Sequence, residues 1–354
     1  MRKSVFVLLC TFVLQSVSAA PPAKKGVAPK KGPASVQTNV NSGVIQTNQV
    51  SAAADPKESP GAEQPKPFVW QNTTALRYNP LGLFNETRLG YRHWLYDASQ
   101  KPILKGSNLG ASAVLFTSPA LVQAGADLEA SPLAILNLTL GYRAVGYFGA
   151  FGMQQGYGSA ATDWSDKQRS DQSGLAQSSF GNMITASAQT QLRFGNVVLR
   201  NLIRGFHQRQ QLNVRPGETQ VAAFYDPVLD VLQPNGGLSI VNDADILWLA
   251  TDHWTFGLRY NFSRAYYNTD GLSAAERTLA DESAFQQRIG PLITYRLTAD
   301  PDRTAPAPML ILLVQVHLNH RFRTGGIAGD PFAGQAVNQA VPYIGLAYRM
   351  AGDF

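Results

Sequence analysis

Charged side chains recur two residues apart in this chain, and that spacing decides what chemistry they can share. Glu86 and Arg88, Asp127 and Glu129, and Asp243 and Asp245 are each separated by one residue. Residues two apart project from one face of an extended strand, whereas adjacent residues point to opposite faces. Paired carboxylates are one arrangement that hydrolytic chemistry uses, and Asp243 with Asp245 comes nearest to it. Their partners for proton transfer are missing from the sequence. None of the histidines (His93, His207, His253, His317, His320) has a serine two residues away, and no Asp-x-His triplet occurs. Asp252 and His253 are adjacent, so a strand would turn them apart. The Gly-x-Ser-x-Gly, His-Glu-x-x-His and phosphate-loop patterns are absent. No catalytic residue, metal site or cofactor is expected, and Asp243 and Asp245 are expected to pair with Arg259 or another arginine on their face.

Thiol chemistry is excluded by position. Cys10 is the only cysteine, and it lies in the short apolar run 5–14, behind Arg2 and Lys3 and ahead of Val17, Ser18 and Ala19. That order reads as a secretory signal over 1–20, too short to span a bilayer as a helix. Cleavage near Ala19 leaves no thiol for a disulfide or a metal.

Residues 21–66 are rich in Pro, Ala, Ser, Gln, Val and Lys and lack aromatic residues. Such a stretch buries too little apolar surface to offset its ordering entropy, so a disordered periplasmic linker is expected. The basic balance of the chain belongs to these two segments. Signal and linker carry eight of the 30 basic residues and three of the 24 acidic ones, which leaves 67–354 nearly neutral. Nucleic acid is therefore not an expected partner. Residues 24–31, with four lysines, could touch anionic cell-wall polymer, but a solvated tether is the favoured reading. Within the body only Lys101, Lys105 and Lys167 are lysine and 19 residues are arginine, the side chain that suits crowded ion-pair networks.

The elements that position these charges follow from a two-residue period. In 254–264, Phe256, Leu258, Tyr260 and Phe262 fall on one face, with Thr255, Gly257, Arg259, Asn261 and Ser263 on the other. The stretches 133–143, 183–194 and 310–322 alternate in the same way, where a helix would show spacings of three and four. Segments of roughly 10–15 residues exceed ordinary soluble strands and match tilted membrane-spanning ones. Tyr91, Trp94, Tyr147, Trp248, Trp254, Tyr266, Tyr267 and Tyr295 recur at segment ends as an interfacial girdle would. Short and long connections alternate. Ten strands are expected, at 83–96, 110–128, 133–146, 180–194, 197–210, 238–250, 254–266, 285–297, 309–322 and 340–351. A break at Ser118-Pro119 is open, as is a further hairpin around 234–237 that would make twelve or would rise above the wall. Ser273 and Glu276 form a capping-box pattern able to open a short helix in 267–284.

The final strand shows Ile344, Leu346, Tyr348, Met350, Gly352 and Phe354 on one face. It resembles the C-terminal assembly signal of bacterial outer-membrane β-barrels, with Tyr348 and Phe354 as its key residues. Residues 67–354 as a whole resemble such a barrel. The resemblance implies an all-β antiparallel transmembrane fold, location in the bacterial outer membrane, contact with outer-membrane lipid and handling by the barrel-assembly machinery. With apolar faces toward lipid, the lumen is expected to hold Glu86, Arg88, Arg92, Asp127, Glu129, Arg143, Arg193, Arg200, Arg204, Asp243, Asp245, Arg259, Arg288, Arg296, His317, Arg321 and Arg349. Either these pack as an ionic core, or they line a narrow porin-like path with a preference for small anionic solutes. The channel is the first functional expectation. A plugged structural or adhesion barrel acting through its extracellular loops is the alternative, and an outer-membrane hydrolase a distant third. Loop 147–179, with Tyr147, Phe148, Phe151, Tyr157, Trp164, Asp163, Asp166 and Asp171, is read as a mobile surface loop that could instead form a constriction.

Overall fold

A computed structural model describes residues 39–41, 44–46, 66–96, 102–104, 106–298, 307–326 and 328–353. The expected signal segment, residues 24–31 and Phe354 lie outside them. Asn39–Asn41 and Val44–Gln46 form a short antiparallel ladder of their own, separate from the main sheet.

The wall consists of β1 (Phe68–Tyr78), β2 (Gly82–Trp94), β3 (Asn108–Thr117), β4 (Leu121–Leu133) and β5 (Leu136–Phe148). It continues with β7 (Ser178–Phe194), β8 (Val197–Gln210), β11 (Gly237–Leu249) and β12 (Trp254–Tyr266), then β13 (Phe285–Arg296), β14 (Met309–Asn319) and β15 (Tyr343–Asp353). Each strand pairs antiparallel with the next, and β15 returns to β1 from Ile344↔Tyr78 to Asp353↔Val69, closing a barrel of twelve strands. Three further strands stay out of the wall. They are β6 (Gly156–Tyr157), β9 (Ala223–Asp226) and β10 (Val231–Pro234), joined in the order β10-β9-β6.

The count of twelve differs from ten at the N-terminal side. β1 was not expected as a strand, and 110–128 is two strands folded at Ser118, whose hydroxyl accepts from the Ala120 and Leu121 amides and fixes the turn. The hairpin near 234–237 adds nothing to the wall. Its first arm, β10, pairs with β9 instead, while Gly237–Leu249 is itself a wall strand.

Alternation sorts the side chains. On the outer face Leu76, Leu89, Leu115, Leu140, Ile184, Leu199, Ile246, Leu258, Leu312 and Leu346 are all exposed. An apolar belt of this extent is far beyond what a soluble monomer presents to water. Closure satisfies the backbone groups that an open edge would leave bare in hydrocarbon. The protein is a transmembrane β-barrel of the bacterial outer-membrane type. Aromatic residues band the end that carries the chain termini: Trp254 packs on Tyr295 at 4.6 Å and on Phe256 at 5.8 Å, and Phe68 meets Tyr91 at 5.3 Å. Tyr147 and Tyr267 do not join this girdle. Tyr147 is buried inside, and Tyr267 packs in the loop layer described below.

Connections differ sharply between the two ends. Residues 134–135, 195–196 and 250–253 turn at the terminal end, while 149–177, 211–236, 267–284 and 320–342 lie at the other. These long connections hold α1 (Asp166–Asp171) and α2 (Ala274–Ala284), the latter opened by the Ser273–Glu276 capping box. They are built into a layer across the barrel mouth. Trp164 is 2% exposed and donates from its indole nitrogen to Ser283 at 3.1 Å. It packs with Tyr157, Ala223, Tyr225, Leu232, Ala280 and Phe322. Loop 147–179 is thus not the free surface loop that its composition suggested.

Candidate functional site: the charged lumen and its plug

Two ionic clusters occupy the lumen about halfway along the strands. The first spans β2 to β5. Arg88 donates to Glu86 at 2.7 Å and meets Asp127 at 2.7 Å, and Arg143 reaches Asp127 at 3.1 Å and Glu86 at 3.8 Å. Glu129 extends the cluster toward Arg92 at 3.8 Å. Asp127 has room because Gly141 stands opposite it. A Cβ there would fall 2.1 Å from Asp127 Oδ1 and 2.6 Å from Thr185 Oγ1.

The second cluster spans β8, β11 and β12. Asp245 is held by Arg200 and by Arg259, whose Nε lies 2.7 Å away. Asp243 takes Arg204 at 2.7 Å and the Asn261 amide at 2.8 Å. The two aspartates are therefore bound up with arginines. Strand register explains the geometry: Arg200 sits opposite Asp245, and Asp245 opposite Arg259, on three neighbouring strands. Close approach on the inner side recurs at Gly290, where a Cβ would lie 1.9 Å from the Val314 carbonyl.

Other residues expected in the lumen have different surroundings. Arg288 leans on the Tyr343 ring at 4.4 Å and donates to Asn261, and Arg349 donates to Gln71 at 2.9 Å. His317 is buried on the inner face of β14. Arg296 lies at the terminal end of β13, where its carbonyl accepts from His253. Arg193 is exposed at the end of β7, with its Nε on the Gly195 carbonyl of the following turn, so it sits at the rim of the lumen and not deep within it. Arg321 belongs to the mouth layer and not to the wall. It forks onto Asp330 at 2.7 and 3.2 Å and donates to Ser283 and to the Thr162 and Ala161 carbonyls.

Sequence reasoning missed Arg77 and the plug. The β9–β10 connection, 227–230, enters the barrel mouth and packs Val228, Leu229 and Val231 in one apolar cluster with Phe84, Phe116, Tyr147, Phe206 and Tyr343. Its backbone is tied to the wall: the Val228 carbonyl accepts from Arg77 and the Leu229 carbonyl from Gln286 at 2.9 Å. Asp230 is the latch. Arg323 forks onto it at 3.0 and 3.1 Å, the Tyr225 hydroxyl donates at 2.8 Å, and His320 Nε2 stands 3.4 Å from its Oδ2. Burial works against ionisation of Asp230, yet Arg323 and His320 hold its carboxyl well below the usual range. Asp226 shows the opposite balance. Burial pushes its carboxyl up, against the Val228 and Leu229 amides and Arg77. The signal in the sequence was the run Tyr225-Asp-Pro-Val-Leu-Asp230, in which two aspartates flank an apolar tip.

Chemically, this arrangement is tightly packed and arginine-rich. Arg143, Arg259 and His317 are 0% exposed, so no water-sized space reaches these side chains. Arg77, Arg288 and Arg349 make no ion pair among the described residues. No group of three or more acidic, His or Cys side chains is placed to hold a metal among those residues.

The sequence matches no family model and no curated protein. Among solved structures it is similar to an outer membrane channel from Pseudomonas putida F1, at 9% identity and TM-score 0.41, over 84% of this chain and 100% of that one. The Acinetobacter baumannii outer membrane protein Omp33 shares 11% identity at TM-score 0.33, over 80% and 97%. The NanC porin shares 9% at TM-score 0.33, over 80% and 99%. The barrel assignment stands on the closed strand ladder and apolar belt described above.

Proposed function

We propose that the protein is a gated outer-membrane channel for small anionic solutes, closed here by the β9–β10 hairpin. The observation that carries this reading is the charge mismatch inside the wall. A permanent ionic core would match each buried guanidinium with a carboxylate, because an unpaired buried charge costs several kcal/mol. The buried Arg349 and the half-buried Arg288 lack such partners, and Nε or Nη1 atoms of Arg143, Arg200, Arg204 and Arg259 are buried without an acceptor. Such a surface is complementary to an anion in transit. The closing element is a hairpin that is not itself a wall strand, held by Arg323 and His320 of the last long loop and by Arg77 and Gln286 of the wall. In this reading β15, with Tyr348 on its outer face, is what the assembly machinery handles.

Planar-bilayer recording tests the gate. The wild-type protein should conduct rarely, and Asp230→Asn or replacement of 222–235 by a Gly-Ser linker should give sustained openings. A second reading, a permanently plugged barrel that acts through its loops, is favoured by the zero exposure of Arg143 and Arg259. Silence from both variants, each heat-modifiable on a gel and hence folded, would establish that reading and remove the channel.

A further inference from the structure

The rim of the barrel mouth holds a cleft of about 250 Å³ beside the plug tip. It lies between the β1–β2 and β3–β4 turns, the segment at 151–153 and the plug tip. Its outer lip is made by Leu81 and Leu83, which are 68% and 49% exposed on the lipid-facing side. Its floor is the stacked pair Phe84 and Phe116, with ring centroids 5.6 Å apart and both rings buried. Val228 of the plug closes the inner wall. One charged side chain lines this apolar space. Arg77 is 5% exposed, donates from Nη1 to the Val228 carbonyl, and leaves its Nε buried without an acceptor. Asp226 is close enough to feel this charge but forms no ion pair with it.

We infer that this cleft binds a free long-chain carboxylate, with the chain entering over Leu81 and Leu83 and the carboxylate meeting Arg77. The chemistry selects the ligand on two grounds. A wall of Leu and Phe that opens toward lipid gains from burying methylene groups and offers no partner for a polar tail. A desolvated guanidinium with an open N–H edge favours a small anion over a neutral group, and its fork matches a carboxylate. The site is separate from the lumen clusters, so it holds whether or not the barrel conducts.

The test uses the full chain refolded and transferred to amphipol, which avoids a competing micelle. Titration with cis-parinaric acid should give saturable fluorescence, and its methyl ester should bind at least about tenfold more weakly, the scale of one charge-assisted hydrogen bond. Arg77→Gln should bring acid and ester to equal affinity while the ester still binds, which reports that the cleft persists. Leu81→Glu, at an exposed position, should weaken the acid and spare the ester. Val228→Trp should fill the cleft and remove both. Equal binding of acid and ester by the wild type would overturn the inference. So would discrimination that survives Arg77→Gln, or uptake of a parinaroyl phosphatidylcholine as strong as that of the free acid.

Discussion

Arg193 and Asp245 show how far a two-residue period carries at the scale of single residues. Both lie on the polar phase of their strands, yet one is exposed at a turn and the other is fully enclosed by Arg200 and Arg259. Phase gives the face but not the height along the barrel axis, so the sequence could not separate a rim arginine from a lumen one. Asp245→Asn should cost about 3–5 kcal/mol, because two buried guanidiniums lose their shared partner. A urea midpoint for refolding into lipid vesicles would show it. Arg193→Glu should change the stability so measured by no more than about 0.5 kcal/mol and leave ion selectivity unchanged. The plug aspartates make a further distinction. Asp226 has a raised carboxyl pKa with the hairpin inserted, so insertion takes up a proton as pH falls toward the free value, and closure strengthens. Asp230 has a lowered one, so its latch is in force above the ordinary aspartate range and fails only when pH falls through the lowered value. Open probability should therefore rise as pH increases from the ordinary aspartate range through the raised Asp226 value, and Asp226→Asn should flatten that rise.

β1 is the element that the sequence concealed, and its reason is local. A lipid-facing strand is expected to show only apolar residues outward, but β1 turns Asn72 and Thr74 to that side. They are reconciled with the belt by side-chain bonds to Asn85 and Thr87 on β2: Asn72 donates to Thr87 at 2.8 Å, and Asn85 donates to Thr74 at 2.8 Å. A cross-strand pair of polar residues satisfies itself, and no single-strand pattern reveals it. β14 was legible because its outer face carries no such exception. The wall is not uniform in its pairing either. β7 and β8 pair from Val197↔Phe194 to Gln210↔Gly181, whereas β14 and β15 pair only from Met309↔Arg349 to Gln315↔Tyr343. Gly290 and Pro291 interrupt the ladder on the other side of β14, and proline supplies no N–H. Backbone amides of Val316, Leu318 and Asn319 should exchange faster than those in the middle of β8, measured by hydrogen–deuterium exchange in amphipol. Equal protection along both strands would show that the β13–β14–β15 seam is no weaker than the rest.

At the scale of the molecule, architecture was legible and occlusion was not. Alternation, segment length, aromatic ends and a lopsided set of connections all point to one closed barrel, since each reflects a bilayer constraint acting on every strand. The fate of the lumen depends on 227–230 docking against residues from β1, β2, β13 and the last long loop, a set of contacts distant in sequence and without periodicity. The central claim is that this hairpin shuts an anion-preferring path. The most direct measurement is the reversal potential of the variant with 222–235 replaced, recorded across a KCl gradient, alone and with Arg288→Glu or Arg349→Glu added. The current should be chloride-selective and shift toward cation preference with each added glutamate. A hairpin-free barrel that conducts with cation preference, or whose reversal potential ignores both substitutions, would contradict it.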